Sequence, residues 1–241
     1  YVQLGVVLLF VVVAIFALLT SKKAEQNKVW VGLSKETAHQ LGTPISSLMA
    51  WIEILKETYP ADGLVQDMGK DVQRLQLIAE RFSKIGSKPE VSPESLNLVL
   101  EHVVEYMDRR TSSRVKMICN CPPHDVIVNI NASLFEWVIE NLCKNAVDAM
   151  EGSGTITLTM YGDGGGAVIE VADTGKGIRK KDIRNVFRPG FTTKKRGWGL
   201  GLSLAKRIVE EYHRGRIYVK SSEVGLGTTF RIEVGKLRVK N

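Results

Sequence analysis

The chain has 241 residues, 44% of them hydrophobic and 24% charged, with a formal net charge of +7. That is the balance of a globular protein long enough for one or two buried cores. Its basic residues are dispersed in short groups such as Lys180-Lys181 and Lys194-Lys195-Arg196, without interleaved aromatics, so no nucleic-acid partner is expected.

The first element is an apolar run from Val2 to Leu19 with no charge and one polar residue, Gln3. At about 1.5 Å per residue it is just long enough to cross a hydrocarbon core of roughly 30 Å. The run lacks the basic n-region and small-residue cleavage site of a signal peptide; a buried core helix is the other reading. A transmembrane helix over 1–20 is therefore expected. Lys22, Lys23 and Lys28 follow it and no lysine precedes it, which puts the rest of the chain in the cytoplasm. The chain opens on Tyr1 rather than Met, so a further N-terminal part across the membrane is expected.

Residues 21–88 read as a helical hairpin. Leu33, Thr37, Leu41, Pro44, Leu48, Trp51 and Leu55 recur at steps of 3 or 4 and define a seam. "YPADG", Tyr59 to Gly63, is a turn. Val65, Met68, Val72, Leu75, Ile78, Phe82 and Ile85 continue the period on a second helix. One hairpin buries little, so two copies are expected to pair as a four-helix bundle. His39 falls roughly 200° from the seam positions beside it, and hence on the outer face, with Thr43 one turn further on. Pro44 removes a backbone donor and should bend the helix there. On the hairpin alone, a solvated histidine before a kink is the plain reading.

"GSKPEVSP", Gly86 to Pro93, is a linker, and residues 89–241 form a second domain of mixed α and β. A helix is expected from about Pro93 to Arg110, then strands "VKMIC" and "VIVNI", then a helix over Ala132 to Met150. "TITLTMYG" and "GAVIEVAD" read as a hairpin, followed by a Gly-rich loop, a helix from about Gly201 to His213, and strands "RIYVKSS" and "TTFRIEV". The order suggests a layered α/β sandwich. The cysteines here, Cys119, Cys121 and Cys143, have no metal-ligand spacing with histidine and read as reduced structural thiols.

Four polar elements stand out in this domain. Asn141 and Asn145 lie one turn apart on one helix face; a side-chain carbonyl there suits Mg²⁺ between phosphates, and a capping or surface pair is the other reading. In "VADTGKGI", Asp173 ends an apolar strand and could accept from an adenine amino group beside Gly175 and Gly177, or simply make a turn. "GWGLGL", Gly197 to Leu202, opens onto a helix whose free N–H groups suit phosphate, with Lys194 close by. "GLGTTF" sets Gly225, Gly227 and Thr228 before a strand. Each is weak alone; the ordered set is strong.

That order is the order of a family. "NLCKNA", "DTGKGI", "FRPGFTTK", "GWGLGL" and "GLGTTF" resemble the N, glycine and F boxes of sensor histidine kinases of two-component systems, and "AHQLGTP" resembles the box carrying their phosphorylated histidine. The resemblance covers nearly all of the chain after the apolar run. It implies an α+β multidomain protein: a membrane helix, a dimerising hairpin bearing His39, and a Bergerat-type ATP-binding sandwich with a lid within about Arg179 to Trp198. It implies ATP and Mg²⁺ as cofactors, with Asn145 on the metal. ATP-binding roles are implied for Asn141, Lys144, Asn145, Asp173, Gly175, Gly177, Ile178, Phe191, Thr192, Thr193, Lys194, Gly197, Gly199, Leu200, Gly201, Leu202 and Thr228. It further implies phosphoryl transfer from His39 to an aspartate on a response-regulator receiver domain, a homodimer through the hairpin, and a place at the bacterial plasma membrane.

Two residues refine the chemistry. ATP-hydrolysing relatives of this fold carry a glutamate where Asn141 stands, and an amide cannot act as a base; that favours transfer to a protein nucleophile. Family members usually carry an acid directly after the histidine, but here it is Gln40, which can orient the ring without taking its proton. Glu36 is the acid nearest that face, and Thr43, by analogy, would position water for dephosphorylating the regulator. The alternatives are an ATPase or serine kinase of the same fold, or a catalytically degenerate scaffold.

Overall fold

The structure is a computed structural model that describes residues 11, 13–16, 32, 36, 38–86, 89–163, 165–194 and 199–235. The expected membrane helix lies almost wholly outside the described residues. Among those described, no helix is long and apolar enough to cross a membrane. The chain divides into two compact units, Tyr1–Lys88 and Pro89–Asn241.

In the first unit, helix α1 (38–58) and helix α2 (Gly63–Gly86) form a hairpin. Asp62 sets the start of α2, its Oδ1 accepting from Leu64 N at 2.8 Å. The core is one stripe: Ile45 and Ile52 from α1 against Val72 and Ala79 from α2, flanked by Leu48 and Met49. Gly69 of α2 lies against Ile52 and Lys56, where an added Cβ would make ordinary contact at 3.4–3.5 Å. Part of the expected seam faces away from the partner helix of this hairpin. Leu41 and Trp51 remain 39% and 60% exposed, and Met68 and Leu75 also face outward. Two helices can bury only the stripe that faces the partner, and the apolar band here is wider than that stripe. The helix runs through Pro44 without a break in its assignment.

The second unit is an α/β sandwich. Strand β1 (Ser92–Ser95) pairs antiparallel with β3 (Ile127–Ile130), apart from a five-stranded sheet. That sheet contains β2 (Val115–Asn120), β4 (Gly154–Asp163), β5 (Gly166–Asp173), β6 (Arg216–Glu223) and β7 (Gly227–Val234), in the order β2-β4-β5-β7-β6. Only the β2–β4 pair is parallel; the other pairs in this sheet are antiparallel. Helices α3 (Leu96–Asp108) and α4 (Ala132–Ala149) start at polar caps: Ser95 accepts from Leu98 N, and Asn131 from Leu134 N. A short α5 (Lys180–Ile183) follows the β5 turn. Helix α6 (Gly201–Arg207) continues into a π-helical turn, Ile208–Tyr212.

One core joins the helices to the sheet. Leu96, Leu100, Phe135, Ile139 and Leu142 meet Ile156, Leu158, Ile169 and Ile232, all essentially without solvent contact. Each such side chain contributes about 1.5–3 kcal/mol by burial. Strand β7 shows the alternation directly, with Phe230, Ile232 and Val234 inward and Arg231 and Glu233 on the other face.

His213 fastens the helical layer. Its Nε2 accepts from Asn131 N at 2.9 Å and its Nδ1 lies 2.7 Å from Ile208 O, so the ring is neutral with the proton on Nδ1. Phe135 packs edge-on at 5.5 Å. Burial holds the His213 pKa below its ordinary 6.5, against the opposing effect of the Ile208 carbonyl. Below that value the unfolded chain takes up a proton that the folded chain resists. The His213 contribution to stability is therefore fully present above pH 6.5 and declines as the pH falls beneath it. The slope is expected to reach at most about 1.4 kcal/mol per pH unit. Urea midpoints at pH 7.5 and 5.5 should fall further in wild type than in His213→Gln; equal falls would refute the assignment.

Candidate nucleotide-binding site

The site is built where the end of α4, the end of β5 and the start of α6 meet. Asn141 and Asn145 stand one turn apart on α4. Against Asn141 lies Gly201, the first residue of α6; a Cβ at that position would sit 2.7 Å from Asn141 Oδ1 and 2.9 Å from its Nδ2. A side chain at this position would have to displace the Asn141 amide. Leu200, which precedes it, offers no side-chain cap, so the opening N–H groups of α6 are left for another acceptor. Leu202 packs against the core.

Lys194 reaches Asn145. Its Nζ donates to Asn145 Oδ1 at 2.8 Å and to Asp148 Oδ2 at 2.5 Å. A neutral carbonyl and a carboxylate oxygen thus converge on one cation. These are hard oxygen donors, the type that Mg²⁺ takes. Lys144 turns elsewhere. It pairs with the buried Glu140, and its Nζ lies 5.8 Å from the centre of the Tyr106 ring on α3.

Asp173 ends β5 directly across from Thr228. Its Oδ1 accepts from Gly175 N at 2.8 Å. Burial raises its pKa, opposed by backbone hydrogen bonds from Gly175 and Thr228. The turn that follows is clasped on both sides. Lys176 N donates to Ala149 O at 3.0 Å, and Gly225 N donates to Lys176 O at 2.9 Å. Ile178 N donates to Ser222 Oγ at 2.7 Å, and that hydroxyl is 2.9 Å from Thr228 Oγ1. Gly177 has φ +71°, and a Cβ there would lie 2.1 Å from Glu223 O.

The segment before α6 is tied together where its described parts meet. Gly190 N donates to Gly199 O at 3.1 Å, and Phe191 N to Arg188 O at 3.1 Å. Gly199 has φ +65° and no room for a side chain beside Gly190 and Phe191. Thr192 Oγ1 accepts from Lys194 N at 3.1 Å, and Thr193 is exposed. Gly197 lies outside the described residues.

In the other unit, His39, Gln40 and Thr43 are all exposed on α1. Gln40 Nε2 donates to Glu36 Oε1 at 2.7 Å, one turn back.

Two contributors were not singled out from the sequence. Asp148 lies on the Asn145 face at i+3, a signal present inside "ENLCKNAVDAM". Ser222 carries no such signal; it matters only because β6 and β7 bring it to Ile178 and Thr228.

A helix face bearing two amides, an acid at a strand end and glycine-lined turns, under one α/β sandwich, define an ATPase-type nucleotide domain. Residues 130–238 match the family described as histidine kinase-, DNA gyrase B- and HSP90-like ATPase. The chain is 32% identical over 219 residues to the sensor histidine kinase ZraS of Escherichia coli K12, covering 87% of this chain and 46% of that protein. The nucleotide-free catalytic domain of histidine kinase ThkA superposes with a TM-score of 0.56 at 28% identity, over 61% of this chain and 97% of that domain. ThkA in complex with the response regulator protein TrrA shares the fold over 92% of this chain and 66% of that one, at 21% identity and a TM-score of 0.58. Over most of its length the chain is similar to sensor histidine kinases. It spans about half the length of the curated relatives it matches.

Proposed function

We propose that this chain is the transmitter part of a sensor histidine kinase, which moves the γ-phosphoryl group of ATP to His39 and then to an aspartate of a response-regulator receiver domain. The observation that carries the reading is at Asn141. This amide faces Gly201, and the neighbouring acid, Glu140, is buried and paired with Lys144. Neither can activate water, so a protein nucleophile suits the site better than hydrolysis. His39, an exposed imidazole on a two-helix hairpin, supplies one.

In this scheme Asp173 reads the adenine amino group, and the turns at Gly175, Gly177, Gly199 and Gly201 admit the phosphates. Asn145 and Asp148 would hold Mg²⁺, which when bound neutralises phosphate charge. Lys194, released from these two oxygens, adds positive charge to the phosphate pocket. The His39 nitrogen attacks the γ-phosphorus, a P–N bond forms, and the bond to the bridging oxygen breaks as ADP leaves. Charge neutralisation and positioning carry most of such a reaction. The imidazole proton goes to Glu36, whose carboxylate Gln40 holds by hydrogen bond. Thr43, one turn beyond His39, positions the water that dephosphorylates the regulator.

The known complex of ThkA with a response regulator supports a receiver-domain partner. The outward Leu41, Trp51, Met68 and Leu75 support a homodimer, because a second hairpin would cover them. The apolar run Val2 to Leu19 supports attachment to a membrane.

Labelling with γ-³²P-ATP followed by acid tests the central reading. Phosphohistidine loses its label in acid; an acid-stable label would mark a serine kinase instead. The same assay reads the proton acceptor. Glu36→Ala is expected to slow labelling by about 10²-fold or more, in the range of general-base effects. An unchanged rate would send the proton to water.

A further inference from the structure

We propose that Cys119 and Cys121 form a reversible thiol–disulfide couple, a site of two-electron oxidation on the second unit that is separate from nucleotide handling. All three cysteines are free thiols, in unlike surroundings. Cys143 is buried in the core, whereas Cys119 is exposed and Cys121 half-buried. Their sulfurs are 3.3 Å apart.

The contact follows from the strand. Cys119 lies near the end of β2, and Cys121 is the first residue beyond it. Side chains two positions apart on a strand share a face. Two rises of about 3.3 Å put their Cα atoms about 6.6 Å apart, inside the upper edge of the disulfide range. Strand β2 is an edge of the five-stranded sheet. Beyond Cys121 the chain is held by α3. Asn97 Nδ2 donates to Pro122 O at 3.0 Å, Asn97 Oδ1 accepts from Val126 N at 3.0 Å, and Ser95 Oγ donates to Asp125 at 2.9 Å. Pro122 and Pro123 stiffen the same stretch. The Cys121 sulfur is thereby kept opposite Cys119.

The pair sits apart from the candidate nucleotide site. Cys119 is level with Leu158, and Cys121 lies beyond the last pair, Asn120 with Thr159, toward the β4–β5 turn. Asp173 is at the other end, opposite Ile156. The inference therefore stands whether or not the kinase reading does.

The oxidant is a peroxide. The Cys119 sulfur attacks one peroxide oxygen, the O–O bond breaks, and a sulfenic acid and one water result. The Cys121 sulfur then attacks the Cys119 sulfur, the S–S bond forms, and the hydroxyl leaves as a second water with the Cys121 proton. Two thiols lose two electrons and hydrogen peroxide gains them. Burial, with Cys119 beside it, pushes the Cys121 thiol up to about 12 and keeps it protonated, so the first attack falls to the exposed Cys119. Closure over one residue, Asn120, makes a disulfide that reducing thiols reopen, in keeping with redox-sensing disulfides of reducing compartments.

The test is mass spectrometry on the whole chain after hydrogen peroxide and thiol alkylation, with cleavage at Asp125 to separate the pair from Cys143. The peptide with Cys119 and Cys121 is expected to lose two hydrogens and escape alkylation, and dithiothreitol should reverse both changes. In Cys121→Ser, Cys119 should stop at the sulfenic acid, trapped by dimedone. Two alkylated thiols after peroxide, a bridge to Cys143, or a bridge between two chains would overturn the proposal.

Discussion

His39→Gln is expected to take up no label from γ-³²P-ATP and Mg²⁺ while binding nucleotide as wild type does. The glutamine amide has no lone pair nucleophilic enough for the γ-phosphorus, so the chemical step is lost outright rather than slowed. His39 is exposed, and its side chain supports no part of the Ile45–Ile52 core stripe. The substitution should therefore change hairpin stability by no more than about 0.5 kcal/mol. That separation makes the experiment decisive: intact folding and intact nucleotide binding leave only the missing nucleophile to explain the result. Label on the variant would defeat the proposed function.

The second large effect is expected at Gly227. Its φ is +124°, and a Cβ there would lie 1.9 Å from Asp173 O and 2.9 Å from the carbonyl carbon. Alanine can enter only if β5 and β7 separate at the Asp173–Thr228 pair, which moves Asp173 itself. Gly227→Ala should cost about 3 kcal/mol or more in urea unfolding, from positive-φ strain plus the clash. It should also weaken binding of a fluorescent ATP analogue by at least tenfold. Gly225 supplies the control. It too has positive φ, +86°, but an added Cβ meets nothing within 4 Å. Gly225→Ala should cost about 1 kcal/mol and leave binding in place. If the two variants behaved alike, backbone strain alone would matter and the close approach to Asp173 would not.

The sequence disclosed most of the second unit because its signals are local. Asn131 caps α4, and β7 alternates inward and outward. What it withheld depends on partners. "SPES" has poor strand propensity and becomes β1 only by pairing with β3, beside the hydrogen bond from Leu96 N to Val126 O. In the hairpin the period was legible, but not which of its residues face α2. Ile45 and Ile52 are buried in place of Leu41 and Trp51, because facing residues on α2 choose which part of a wide apolar band is covered. At the candidate site the glycines and asparagines announce themselves by spacing. Lys194 was visible as a nearby charge, but its two partners, Asn145 and Asp148, emerge only from the fold.

The strand order β2-β4-β5-β7-β6 also bears on when the protein becomes competent. The hairpin core joins residues within one turn-linked helix pair, whereas Asp173 meets Thr228 and Asn141 meets Gly201 only after long stretches of intervening chain. Local contacts form early and distant ones late. During synthesis His39 can already stand on a folded hairpin while Asp173 still awaits β7. The proposed phosphoryl acceptor would then be ready before the proposed nucleotide site that serves it, and a chain interrupted before Gly227 would carry the former without the latter.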